Sequence, residues 1–185
     1  MLFIIIVVAI VICIVWYNQA QTRRFREIYD DAQVLKKTAH GEGSFLQSPY
    51  RSRRDFLDYM GQFFKYKKHE WIFVAFMVDG SVDRFWLNKG PDAEGVSPFI
   101  GIQDAARICK QNGCNQVLVG HNHPAGALSP SKQDRVFLEE FMDSFAQKNL
   151  SVEHFVFVAG RWRKYGLSIG QHLRRLFTGT RRTLE

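Results

Sequence analysis

The chain has 185 residues, 46% hydrophobic and 14% aromatic, which suits one packed domain with appendages and argues against a disordered chain. Three scattered cysteines, Cys13, Cys109 and Cys114, argue against a secreted disulfide framework, and no CxxC pair is present for a cysteine-based zinc knuckle. The net charge of +7 divides as +4 over residues 18–54, −3 over 55–160 and +6 over 161–185; a nucleic-acid enzyme more often carries its positive charge on the core, and basic flanks are equally suited to anionic lipid headgroups.

The first 17 residues, MLFIIIVVAIVICIVWY, carry no charge. As a helix they would span roughly 25 Å, near the lower end for crossing a bilayer. Trp16 and Tyr17 stand where an interfacial aromatic belt would. Arg23, Arg24 and Arg26 follow, and no Lys or Arg precedes the run. The positive-inside rule then puts the N-terminus outside and the rest of the chain in the cytoplasm. A cleaved signal peptide fits less well, because there is no basic n-region and Asn18-Gln19-Ala20 is a poor cleavage site. Ile and Val on every face leave no polar side for a soluble helix. The expectation is a single-pass membrane protein with residues 1–17 as the transmembrane anchor.

Residues 18–45 read as a juxtamembrane helix and linker. Phe25, Ile28, Tyr29, Ala32 and Leu35 recur at helical spacing, and TAHGEGS over 38–44 is the linker. Ser52 and Asp55 suggest a capping box, opening a helix to about residue 66 with Phe56, Leu57, Met60, Phe63 and Phe64 on one face. WIFVAFMVDG over 71–80 predicts a buried strand, and DRFWL over 83–87 its hairpin partner. After a Gly/Pro-rich loop, 102–113 predicts a helix closed by Gly113, and 115–120 a second buried strand that runs into His121. Ser129-Pro130 predicts the cap and first position of a helix reaching about 149, with Val136, Phe137, Phe141, Met142 and Phe145 inward. Strands over 152–160 and 163–169 complete an α/β domain. Residues 171–185 form a basic tail that suits either a membrane-surface helix or a solvated end.

The stretch HNHPAGALSPSKQD, residues 121–134, concentrates the chemistry. Histidines two apart on an extended segment point to the same side. Asp134 can add a carboxylate oxygen from the first turn of the next helix. Two nitrogens and one oxygen leave a fourth tetrahedral position open, the layout of a catalytic zinc site, where zinc activates water and polarises a carbonyl. Ser131, three residues before Asp134, can reach the polarised carbonyl oxygen. A lone HxH is weak, but His-x-His-x7-Ser-x-x-Asp is much rarer. HExxH, the deaminase HxE…PCxxC, GxSxG and P-loop patterns are all missing.

This arrangement resembles the JAMM (JAB/MPN) metallopeptidase signature, and HNHPAGALSPSKQD is most similar to its RadC-like branch. The resemblance runs over about residues 46–170, including KKHEWIFVAFMVDG and VEHFVFVAG. It implies a JAB/MPN α/β sandwich similar to the cytidine-deaminase fold. It implies Zn2+ held by His121, His123 and Asp134, Glu70 as general base and Ser131 as oxyanion donor. His154, where the family has Asp-His and this chain Glu153-His154, stands either behind the ligands, bonded to one of them, or as a half-buried structural histidine. The implied activity is zinc-dependent hydrolysis of a peptide or isopeptide bond. Two departures stand out: a membrane segment occupies the place of the family's usual DNA-contacting N-terminal segment, and Ala125 replaces the usual serine. The leading expectation is therefore a membrane-anchored metallopeptidase or isopeptidase acting on a protein or peptide, a ubiquitin-like protein being one option. A DNA-associated module and a non-catalytic scaffold at the membrane are the alternatives. Substrate identity and oligomeric state are not legible.

Overall fold

Alternation along 71–78 decides the architecture. Ile72, Val74 and Phe76 point to one apolar cluster, and Phe73, Ala75 and Met77 to another. A strand apolar on both sides must be central and covered on both faces. In the computed structural model, which describes residues 2–166, this strand lies inside a six-stranded sheet with helices on both faces.

In chain order the elements are α1 (Leu2–Thr38), β1 (Ser44–Gln47), α2 (Arg53–Phe64), β2 (Trp71–Val78), β3 (Ser81–Lys89), α3 (Ile102–Gln111), β4 (Gln116–Asn122), α4 (Lys132–Ala146), β5 (Ser151–Val158) and β6 (Arg161–Tyr165). The sheet order is β1-β3-β2-β4-β5-β6. All neighbours are antiparallel except β4 and β5, which run parallel and are joined through α4. The β2–β3 hairpin turns at Asp79-Gly80, whose φ values of 49° and 75° give the doubly left-handed turn that matches strand twist.

One face of the sheet is covered by α2 and the second half of α1, whose Ile28, Ala32 and Leu35 are buried with Phe56, Met60 and Phe63. Edge-to-face rings tie this layer to the sheet, with Phe56–Phe73 and Phe64–Phe157 centroids 5.2 and 5.1 Å apart. The other face is covered by α3 and α4 through Ala105, Ala106, Cys109, Phe141 and Phe145. Gly120 in β4 permits close packing, because a Cβ there would meet the Phe73 and Phe157 rings at 2.5 and 2.8 Å.

Several expectations shift. The apolar and charged segments of the N-terminus form one unbroken helix, and its later turns belong to the domain's core, so the linker separates α1 from β1 and not the anchor from the domain. Strand β1 was read as linker and domain start. It is a short edge strand held by pairing Ser44–Gln47 with Arg84–Leu87. Ser52 stands at the N-cap of α2 but makes no side-chain capping bond. Helix α4 starts at Lys132, not at Pro130, because Ser131 and Asp134 form a complete capping box. Leu138 takes the inward place assigned to Val136, which is exposed. The end of the predicted 163–169 strand and the tail at 171–185 lie outside the described residues.

Candidate metal centre

Strand β4 carries His121 and Asn122 inside its pairing, and His123 leaves the strand with its amide still donating to Phe157 O at 2.9 Å. Alternation therefore sends the two histidines to one side and Asn122 to the other. The chain crosses through Pro124–Pro130 and re-enters as α4, whose capping box fixes Asp134. The Ser131 amide donates to Asp134 Oδ2 at 2.6 Å, and the Asp134 amide donates to Ser131 Oγ at 3.1 Å. Gly126 keeps this crossing tight, since a Cβ there would sit 2.8 Å from His123 Cβ.

Three side chains converge. His121 Nε2 and His123 Nε2 are 2.9 Å apart, and Asp134 Oδ1 and Oδ2 lie 3.3 and 3.2 Å from them. A tetrahedral zinc ion with bonds of about 2.0–2.1 Å requires ligand atoms roughly 3.3 Å apart, which the two His–Asp separations match while the imidazole pair lies closer. Proton positions agree. His123 Nδ1 faces Ala127 O at 3.0 Å, and a carbonyl can only accept, so the ring hydrogen sits on Nδ1 and Nε2 presents its lone pair. His121 Nδ1 lies 3.1 Å from Nε2 of the buried His154, which can accept its hydrogen and free the His121 Nε2 lone pair. Two imidazole Nε2 atoms that face one another and a carboxylate call for a cation between them, a proton or a metal ion.

The electrostatics show the same demand. Burial would raise the Asp134 carboxyl, but bonds from His121, His123 and the Ser131 amide hold it well below the usual carboxylate range. The Asp134 bond raises His123 above the ordinary imidazole value. His154 is pushed down to about 3, first by burial and then by the neighbouring His121 charge, so it stays neutral. Its Nδ1 is the buried side-chain atom without a hydrogen-bond partner among the described residues.

Glu70 precedes β2 and is only 5% exposed. Burial raises its carboxyl to about 7, with Asp134 and Asp92 pushing the same way and His123 opposing them. The Glu70 amide donates to Asp92 O at 2.8 Å, and its carbonyl accepts from Gly90 at 2.7 Å. Asn122 then clamps both sides of it: Trp71 N–H donates to Asn122 Oδ1 at 2.7 Å, and Asn122 Nδ2 donates to His69 O at 3.1 Å. One strand segment thus supplies two of the three candidate ligands and holds the backbone around the acid. Asn122 did not emerge from the sequence reading, although strand alternation across His-Asn-His was the signal for it.

His121 and Asp134 open into a cleft of about 450 Å³, walled by Ile72, Phe99 and Phe137 and by Asp92 and Glu94 of the 90–101 loop. The five residues expected to act fall into three relations. His121, His123 and Asp134 meet at one point, and Glu70 lies within electrostatic range of His123 and Asp134. Ser131 is first of all the cap of α4, with its hydroxyl hydrogen still free to donate.

A family model described as a RadC-like JAB domain matches residues 50–165, more than half of the chain. No curated protein matches it. The matched span starts just before α2 and ends with β6, so it holds the sheet from β2 onward, both ligand-bearing elements and Glu70. On that match the chain belongs to the JAB/MPN family, in its RadC-like branch.

Proposed function

We propose that this protein is a membrane-anchored, zinc-dependent hydrolase that cleaves an amide bond, as a metallopeptidase or isopeptidase. The observation that carries the reading is the convergence of two imidazole lone pairs and a carboxylate at the mouth of a cleft, beside a buried acid. In this reading the sheet with helices on both faces is the JAB/MPN α/β sandwich. His121, His123 and Asp134 would hold Zn2+, which when bound activates water and polarises the scissile carbonyl.

The chain's own groups do the rest. Glu70, poised near neutrality, takes a proton from the attacking water and returns it to the departing amine. The Ser131 hydroxyl, whose oxygen already accepts from the Asp134 amide, donates its hydrogen to the oxyanion. Neutral His154 accepts from His121 and keeps that ring turned so that Nε2 faces the site. Phe99 and Phe137 offer apolar walls for the substrate chain.

Anchoring rests on α1. From Ile4 to Tyr17 its side chains are exposed, and the helix is long and apolar enough to cross a bilayer. With Arg23, Arg24 and Arg26 following the run, the domain faces the cytoplasm. The test is a proteomic comparison of cells carrying wild type and Glu70→Gln. Uncleaved species that accumulate in the variant name the substrate, and identical proteomes contradict hydrolysis.

A further inference from the structure

Helix α2 measures the molecule. At its start Asp55 pairs with Arg24 of α1. At its other end Lys65 faces Lys36 of α1, and Tyr66 and Lys67 share a small cavity with Asn122, His123 and Pro124. The two helices therefore run parallel, and the metal centre lies at the end of the domain farthest from the apolar run. Tyr17 to Lys36 is about 28 Å at 1.5 Å per residue.

The opposite end of the domain is basic. Arg51, Ser52, Arg53 and Arg54 open α2 and are exposed. The Val82 amide donates to Arg51 O, which places the β2–β3 turn at the same level. Arg53 is committed to Glu153 at 3.0 Å, Arg23 to Glu27 at 3.3 Å and Arg24 to Asp55. Arg26, Arg51 and Arg54 make no ion pair among the described residues; the acidic groups at this level are Asp79 and Asp83 at the β2–β3 hairpin, Asp55 and Asp58 in the groove of Arg54, and Glu27 and Asp30 beside Arg26. Arg24 and Arg54 line one groove with Tyr17 and Gln21, so this basic end begins where the apolar run stops.

We propose that the end of the domain carrying Arg51 and Arg54 rests on anionic lipid headgroups, so that the domain stands upright and presents its metal centre away from the bilayer. This rests on the anchor reading above. Two independent features meet at one level, the exit of the apolar run and the exposed arginines that make no ion pair among the described residues, while His121, His123 and Asp134 gather at the other. The rigid helix excludes a loose tether, because Ile28, Ala32 and Leu35 fix α1 into the core. The substrate class follows: a segment in the aqueous phase about 28 Å from the membrane, which an extended chain reaches with roughly eight or nine residues, and not a bond inside the bilayer.

The experiment reconstitutes the full chain in phosphatidylcholine vesicles, with or without phosphatidylserine, carrying a headgroup quencher in both leaflets. A fluorophore is placed by Ser52→Cys or Tyr66→Cys, at the two ends of α2, in a Cys13→Ser background. The expected result is strong quenching at 52 and little at 66. Quenching at 52 should rise with phosphatidylserine, fall with salt, and lose its lipid dependence in Arg51→Glu/Arg54→Glu. Equal quenching at both positions, stronger quenching at 66, or no effect of phosphatidylserine overturns the proposal. Salt-dependent duplex DNA binding through Arg51 and Arg54, without a lipid effect, also overturns it in favour of nucleic acid. A chain that does not float with the vesicles instead overturns the anchor reading itself, which keeps the two failures apart.

Discussion

The α1–α2 layer and the β4–α4 corner are built from the same sheet by opposite rules. In the layer, buried side chains are apolar and rings meet edge to face, as Phe63 does with Trp71 at 5.3 Å. In the corner, buried groups are polar: Glu70, His121, Asn122 and His154 are all 5% exposed or less. There two imidazole Nε2 atoms face one another beside a carboxylate, and one imidazole nitrogen has no partner among the described residues. The layer lowers the energy of the metal-free chain, and the corner raises it unless a cation arrives. Local violations of packing rules are expected at functional sites, where the surrounding fold offsets their cost.

The largest expected effect separates the layer from the rest. Removing residues 1–44 strips Ile28, Ala32 and Leu35 from the core and uncovers α2. At about 1.5–3 kcal/mol per large aliphatic side chain this removes roughly 4–6 kcal/mol, most of the stability of an ordinary domain. Circular dichroism and gel filtration should show a chain starting at residue 45 to be unfolded or aggregated, and one starting at residue 20 to be folded. Equal folding of both would show that the layer does not hold the domain.

A smaller effect comes from the corner's hidden clamp. Asn122→Ala leaves the Trp71 amide and the His69 carbonyl without their partner. At about 1–3 kcal/mol for each of the two buried groups, urea unfolding should record a loss of roughly 2–6 kcal/mol. Metal content should stay unchanged, because His121 and His123 point the other way. Lost metal with unchanged stability would reverse the assignment.

The smallest effect has the opposite sign. The folded Glu70 carboxyl stands at about 7, above its ordinary 4.5, so ionising it costs stability. That cost grows as pH rises from about 4.5 to 7 and is complete above 7, where it reaches about 3 kcal/mol at most. Glu70→Gln should therefore stabilise the metal-free chain in thermal unfolding, more at pH 8 than at pH 5. An equal gain at both values would mean that Glu70 is not held in a desolvated place.

These contrasts also explain what could be foreseen. His121, His123, Ser131 and Asp134 were legible because fourteen contiguous residues carry them at spacings set by a strand end and a helix start. The two buried faces of β2 were legible from an unbroken apolar run. The continuity of α1 was not, because composition changes at Asn18 while the backbone does not. Strand β1 escaped because an edge strand of four residues owes its existence to its partner β3 and not to its own pattern. The start of α4 was misplaced because Ser129 and Ser131 are both acceptable caps, and only the reciprocal bonds with Asp134 decide between them. Asn122 acts through its side-chain amide on the backbone of His69 and Trp71, so the alternation shows its side but not its partners, and the Ala127 carbonyl, a backbone atom, leaves no mark on residue type.

The claim at the centre is that the corner is a metal site. The direct measurement is the zinc content of the full-length chain, purified in detergent without chelator, for wild type, Glu70→Gln, His123→Ala and Asp134→Ala. Stoichiometric zinc in the first two and its loss in the last two is the predicted result. A wild-type chain that holds no stoichiometric zinc, or a His123→Ala chain that holds as much as wild type, would contradict it.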